Sequence, residues 1–187
     1  MMKSLFTALR ASVVLMVICG LLYPLATTGV AQALFKKQAE GSLLADQNGV
    51  IGSERLAQNF EAPQFFHPRS SAAKYDPKAS AATQAAVASP DYVKTMQERV
   101  QLLHQENPEL HEIPADLVTT SGSGFDPDLT PEAAKAQVPR IAQATGLSAN
   151  DLNSLIDRMT QSRQLGIFGE PHVNVLDLNR ELMKETQ

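Results

Sequence analysis

Residues 11–35 run for 25 positions without a charge and open with ASVVLMVICGLLYPL. About 20 apolar residues cross a bilayer core of about 30 Å, so this run predicts a helix long enough to span with some tilt. Lys3 and Arg10 precede it and Lys36-Lys37 follow it. Pro24 near its middle predicts a kink, with the hydroxyl of Thr27 or Thr28, or a neighbouring helix, taking up the freed carbonyl. Gly20, Ala26, Gly29, Ala31 and Ala33 give it a small-residue side that lets another helix approach. Of these, Gly20, Gly29 and Ala33 are the helix-packing candidates. A cleaved signal peptide is the competing reading, because Ala31-Gln32-Ala33 resembles a small-x-small cleavage site that would leave Leu34 as the new N-terminus. The uncharged run exceeds the apolar core of such peptides, which favours an anchor. Basic residues are almost evenly divided between the two ends, so charge bias does not fix the orientation.

Beyond the anchor the pattern is that of one mixed α/β (α+β) soluble domain over residues 36–187. Ser53 predicts a short helix with Leu56 and Phe60 on one face. Three prolines between Pro63 and Pro77 predict a structured loop, with a short extended piece at Gln64–His67. Lys78 to Ser89 is half alanine and fits either a helix or a loop. Ser89-Pro90 starts a helix that ends before Pro108, with Val93, Met96, Val100 and Leu103 as its inward stripe. Thr130-Pro131-Glu132 starts another that stops at Gly146, and Pro139 inside it predicts a kink or a split. Ser148 with Asp151 approximates a capping box for a helix carrying Leu152, Leu155, Ile156 and Met159 and closing at Gly166. Val173 to Leu176 reads as a buried strand and Asp177 to Glu185 as a terminal helix.

Charge refines this picture. The chain has 187 residues and a net charge of -4. Residues 1–39 carry four bases and no acid, whereas residues 40–134 carry 14 acids and six bases. Such a balance, with 5% aromatic residues, argues against a nucleic-acid partner. Seven acids and no base lie from Glu106 to Glu132. That run reads as a solvated face or as a field that gathers cations. The single cysteine, Cys19, excludes an internal disulfide.

Catalytic signatures are missing from the string of residues. There is no P-loop, no dinucleotide-binding glycine motif and no nucleophile elbow. Ser121-Gly122-Ser123-Gly124 is glycine-rich, but Asp126 and Asp128 follow it and would repel an anion, so it reads as a structural turn. His104 and His111 flank Pro108 and do not share a helix face. His67, between Phe66 and Pro68, reads as a packed loop histidine. No metal site and no catalytic residue is assigned.

Three strings carry a resemblance: FEAPQFFHPRSSAAKYDP from Phe60, IPADLVTTSGSGFDPDLTPEAAKAQVPRIA from Ile113, and GIFGEPHVNVLDLN from Gly166. With the anchor, they resemble the C chain of the bacterial potassium-transporting Kdp ATPase. The resemblance implies an accessory subunit of an ATP-driven potassium importer, partnered by a channel-like subunit that selects potassium and by a P-type ATPase subunit that uses the ATP. It implies help with assembly and a catalytic-chaperone effect that raises ATP affinity, which underlies the expectation of an ATP-binding, nucleotide-binding character. It places residues 1–10 in the cytoplasm, the helix in the inner membrane and the soluble domain in the periplasm. A domain so placed cannot touch cytoplasmic nucleotide, so direct ATP contact is not expected. After Asp76-Pro77 the family pattern carries a Ser-Gly-Gly-Ser-Asn-type segment; this chain has KASAATQAAVASPDY from Lys78, without glycine. His172 stands where the pattern has Arg. The residues carried over as structural or partner-contact candidates are His67, Pro68, Arg69, Tyr75, Asp76, Asp116, Ser121, Gly122, Ser123, Gly124, Asp126, Gly169, Glu170, Asn174 and Asn179. The alternative is an exported α/β enzyme or ligand-binding protein released by cleavage after Ala33.

Overall fold

A computed structural model describes residues 2–47, 49–108 and 110–186. Glu109, one acid of the negative run, lies outside the described residues. The chain divides into two compact units, Met1–Ile51 and Gly52–Gln187.

The first unit is dominated by one helical rod. Helix α1 (Met2–Val17) passes into a five-residue π segment (Ile18–Leu22) and then into α2 (Tyr23–Leu34). Helix formation thus begins nine residues earlier than the uncharged run and takes in Lys3 and Arg10. Over Met2–Leu34 the rod is long and apolar enough to cross a membrane, with a mean hydropathy of 2.2 in its most apolar window. The π segment is how the chain accommodates Pro24. A proline removes one N–H from the ladder and its ring crowds the carbonyl four residues back. Here Tyr23 N–H reaches five residues back to Ile18 O, which widens the turn just before the ring. Thr27 does contribute, but its hydroxyl donates to the carbonyls of Tyr23 and Pro24, at 2.9 and 3.0 Å. A Cβ added at Gly20 or Gly29 meets nothing within 4 Å. A short helix α3 (Lys36–Ala39) follows, and strands β1 (Leu43–Asp46) and β2 (Gly49–Ser53) pair in a two-stranded sheet.

In the second unit, the predicted helix at Ser53 is absent. Ser53 ends β2, and its hydroxyl accepts from Arg55 N–H in a turn. The predicted extended piece at Gln64–His67 is instead a turn followed by irregular chain, with a lone parallel bridge from Ser70 to Thr120. Residues 78–89 contain no regular element.

Helix α4 (Pro90–Glu106) forms where Ser89-Pro90 predicts it. Only Leu103 of its apolar stripe is buried; Val93 is 45% exposed, and Val93, Met96 and Val100 line a shallow groove with Val87 and Tyr92. The periodicity is real, but among the described residues no element of this unit covers that face. Short α5 (Ala115–Val118) and β3 (Asp128–Leu129) come next.

Pro139 splits the next helix into α6 (Pro131–Lys135) and α7 (Val138–Thr145), each with a proline in its first turn. Thr130 Oγ1 caps α6 by accepting from Ala133 N–H at 3.2 Å. Ser148 caps α8 (Ala149–Met159) by accepting from Asp151 N–H at 3.1 Å, and its own hydroxyl donates to Asp151 Oδ2 at 2.6 Å. Helix α8 ends at Met159, seven residues before Gly166.

The predicted strand at Val173–Leu176 is cut short. Only Val173–Asn174 form β4, antiparallel to β3 with Asp128 opposite Asn174. Asn174 Oδ1 then accepts from Asp177 N–H at 3.2 Å and starts α9 (Val175–Glu185). The core gathers around α8. Leu152, Leu155 and Ile156 meet Ala133, Ala134, Val138 and Ile141 from α6 and α7, Leu178 and Leu182 from α9, and Phe66 from the irregular segment.

Two substitutions separate core from open stripe. Ile156 is fully buried, so Ile156→Ala should cost about 2–5 kcal/mol, read as a lowered urea midpoint by circular dichroism on the full chain in detergent. Val93→Ala should change that midpoint by less than about 1 kcal/mol.

Candidate functional site

Several polar residues of the three strings converge on one irregular segment, residues 60–77. A segment without regular structure leaves buried backbone groups that need partners. Two side-chain amides supply them. Asn179 on α9 accepts from Phe66 N–H at 2.8 Å and donates to Phe66 O at 2.9 Å. Gln137, between α6 and α7, accepts from His67 N–H at 2.8 Å and donates to His67 O at 3.0 Å. Each amide pairs with one residue as a neighbouring strand would. Arg140 extends the clamp, donating to Pro63 O at 2.5 Å, Phe65 O at 3.0 Å and Gln137 Oε1 at 2.8 Å.

His67 Nε2 donates to Ala62 O at 3.2 Å. Burial pulls its pKa below the ordinary histidine value, and the Arg140 guanidinium adds to this; the bond to Ala62 opposes it. Pro68 is buried. Arg69 reaches Asp126 Oδ2 at 2.9 Å and Thr119 Oγ1 at 3.2 Å. Tyr75 OH donates to Arg69 O at 2.8 Å, and burial raises its phenol pKa. Asp76 Oδ1 accepts from Lys78 N–H at 2.9 Å.

The Ser-Gly-Ser-Gly string forms a turn around one hydroxyl. Ser121 Oγ accepts from Gly124 N–H at 3.1 Å and Asp126 N–H at 3.3 Å, while Ser121 N–H donates to Ser70 O at 2.8 Å. Ser123 Oγ accepts from Phe125 N–H at 3.1 Å and lies 3.2 Å from Ser121 Oγ. Gly124 has φ +78°, and a Cβ there would stand 2.9 Å from Ala81 O. Ser80 Oγ donates to Ser123 O at 2.9 Å, so the alanine-rich segment closes over this turn. Gly122 is exposed.

The acidic run is not one solvated face. Asp116 Oδ2 accepts from Thr130 N–H at 2.9 Å, Asp126 holds Arg69, and Asp128 accepts from Asn174 Nδ2 at 3.3 Å. Burial raises the Asp128 pKa, opposed by His172 and the Asn174 bond. Asn174 Nδ2 also donates to Glu54 O at 2.9 Å.

Of the candidate residues, Arg69, Tyr75, Ser121, Ser123, Gly124 and Asp126 are thus brought together, and His67, Pro68 and Asn179 join them through the clamp. Asp116 and Asn174 brace β3, α6 and α9 separately. Gly169 and Glu170 lie on an exposed hairpin, and Gly20, Gly29 and Ala33 are in the other unit. Gln137 and Arg140 were not among the candidates. Their signal was a polar residue among the core positions Ala134, Val138 and Ile141. Among the described residues, no three His, Cys, Asp or Glu side chains are grouped to hold a metal ion.

This arrangement is built on residues from Glu54 to Asn179, and similarity extends further. The family described as "KdpC: K+-transporting ATPase, c chain" matches residues 5–184. The chain belongs to the KdpC family. A Geobacter sulfurreducens protein named as the potassium-transporting ATPase KdpC subunit is 46% identical over 185 residues, covering 97% of both chains. One of the same name from Bacillus cereus (strain Q1) is 45% identical over 179 residues, 94% of this chain and 93% of the relative. A third, from Geotalea uraniireducens, is 44% identical over 187 aligned residues and 98% of both. In this KdpC chain the motif side chains that converge on residues 60–77 bond mainly to backbone.

Two outcomes follow from the geometry. Ser121→Ala leaves two N–H groups without their acceptor and should cost about 1–3 kcal/mol; Ser123→Ala, at an exposed position, should cost less than about 0.5 kcal/mol. Urea unfolding of both variants checks this. His67 is a pH-sensitive group near neutrality. Its folded pKa is depressed, so the unfolded chain binds more protons just below pH 6.5 and stability falls as pH drops through that window. His67→Gln should flatten this slope in urea midpoints measured from pH 5 to 8.

Proposed function

We propose that the chain is a non-catalytic accessory subunit of a potassium-importing P-type ATPase. In this reading, α1 and α2 anchor it in the bacterial inner membrane with a cytoplasmic N-terminus and a periplasmic soluble domain. Its partners are a potassium-selecting channel-like subunit and the P-type ATPase subunit. It assists their assembly and, as a catalytic chaperone, raises the affinity of the ATPase subunit for ATP.

The observation that carries this is the family match over residues 5–184. The geometry is consistent with it. The two serines of the glycine-rich turn accept backbone amides, and His67 is turned to a carbonyl. These are the roles of residues that hold a shape for a partner. With the soluble domain outside, its effect on ATP travels through the membrane-spanning subunits as a coupling free energy between sites, of about 1–3 kcal/mol, equivalent to about 5–150-fold in affinity.

The test is purification of the tagged chain in mild detergent after co-expression with the other ATPase subunits. A stoichiometric P-type ATPase subunit is expected, with an apparent KM for ATP that rises at least about fivefold when the chain is left out. A mature N-terminus at Leu34, or a KM independent of the chain, refutes the reading. Gly29→Leu should lower recovery of the complex while leaving membrane insertion intact, because small residues permit close helix approach. Wild-type recovery would show that α2 packs through another face.

A further inference from the structure

The string from Gly166 divides sharply. Val173, Val175, Leu176 and Leu178 enter the core, but Leu165, Ile167 and Phe168 are 88%, 73% and 63% exposed. These three form the tip of a hairpin between α8 and β4. Its arms are firmly paired. Gln161 and His172 exchange two backbone bonds, at 2.8 and 3.1 Å, and Gln164 and Phe168 exchange two more, at 2.8 and 2.9 Å. Leu165 and Gly166 carry the turn with φ of 54° and 74°. A leucine in the left-handed region is unfavourable, and at 88% exposure it recovers little of that by burial in its own fold. The side chains of Arg163 and Glu170 are ion-paired across the hairpin, so the base of the tip is neutral.

We propose that Leu165, Ile167 and Phe168 are a docking finger that inserts into an uncharged apolar groove on another subunit of the potassium-transporting ATPase; this rests on the accessory-subunit reading above. The charge pattern selects that occupant. A loop that enters a bilayer surface couples its apolar side chains to basic residues that meet anionic headgroups. Here the hairpin's cation is held by Glu170, and residues 40–134 of the same chain carry eight more acids than bases. A protein groove makes the opposite demand. Interface centres are depleted in charge and enriched in aromatic anchors, and a pre-ordered hairpin binds with less loss of conformational entropy than a mobile loop. Phe168, paired on both backbone groups to Gln164, is such an anchor.

The test uses the whole complex in detergent. A photoreactive benzophenone amino acid at position 168 should cross-link this chain to one ATPase subunit on irradiation, identified by peptide mass spectrometry. The same probe at exposed Gln105 on α4 should not give that product. Ile167→Ser with Phe168→Ser should weaken retention of the chain in the complex at least about tenfold. The urea midpoint of the isolated full chain should stay at the wild-type value, since both side chains are exposed. Cross-linking to lipid, to a second copy of this chain, or to nothing, in a complex that is otherwise intact, overturns the finger alone. Wild-type retention of the double variant does the same. If no ATPase subunit accompanies even the wild-type chain, the accessory-subunit reading fails and the finger falls with it.

Discussion

The soluble unit depends on the pairing of two side-chain amides with two consecutive backbone residues. Asn179 and Gln137 each take both hydrogen-bonding groups of Phe66 and of His67. Without them the irregular segment would carry four unsatisfied groups into the core, each costing about 1–3 kcal/mol. Phe66, fully buried, can therefore act as a core residue although it belongs to no helix or strand. The clamp also explains why strand content is so small. Among the described residues the two short ladders, β1 with β2 and β3 with β4, leave this segment unpaired, and the side-chain amides of Gln137 and Asn179 pair it instead.

A buried cation stabilises the same region with, among the described residues, no carboxylate on its nitrogens. Arg140 donates to two carbonyls and to the amide oxygen of Gln137. Burial disfavours its charged form, and Glu106 opposes that effect at longer range. Neutral acceptors arranged around a guanidinium hold it by geometry, and the geometry in turn fixes the path of Pro63 to Phe65. Arg69 plays the complementary part on the other side, tying the segment to Asp126 at the end of the serine-centred turn. The chain from Pro63 to Arg69 is thereby held from α7, α9 and the turn at once.

Where residue chemistry acts locally, the sequence was legible. Thr130 and Ser148 announced their helices because a cap needs only residues three apart, and Pro139 split its helix because its ring forbids the preceding turn. Val173 to Leu176 misled because an apolar run of four looks the same in a strand and in a buried first turn; Asn174 followed by Asp177 was the overlooked cap. The α4 stripe has true helical periodicity, but periodicity does not say whether anything covers the face. The clamp was illegible for another reason. Gln137 meets His67 across 70 positions and Asn179 meets Phe66 across 113, and no local rule connects residues so far apart. The family strings named Asn179 and His67 as candidates, but not the bond that each makes.

The π segment has a consequence for the phase of the long apolar helix. Each α-helical residue advances the side chain by about 100°, so nine residues would set Gly20 and Gly29 about 180° apart, on opposite walls. A π turn accommodates one additional residue and so withdraws about 100° from the advance between the residues that flank it, Val17 and Tyr23. Gly20 lies inside the turn and takes only part of that withdrawal, while Ala33, four residues beyond Gly29 within α2, stays on nearly the same meridian as Gly29. Residues up to Val17 are therefore rotated by about 100° against α2 relative to an unbroken helical wheel. Pro24, by forcing the wider turn, sets the azimuth at which the first half of the helix presents itself to whatever packs against the second.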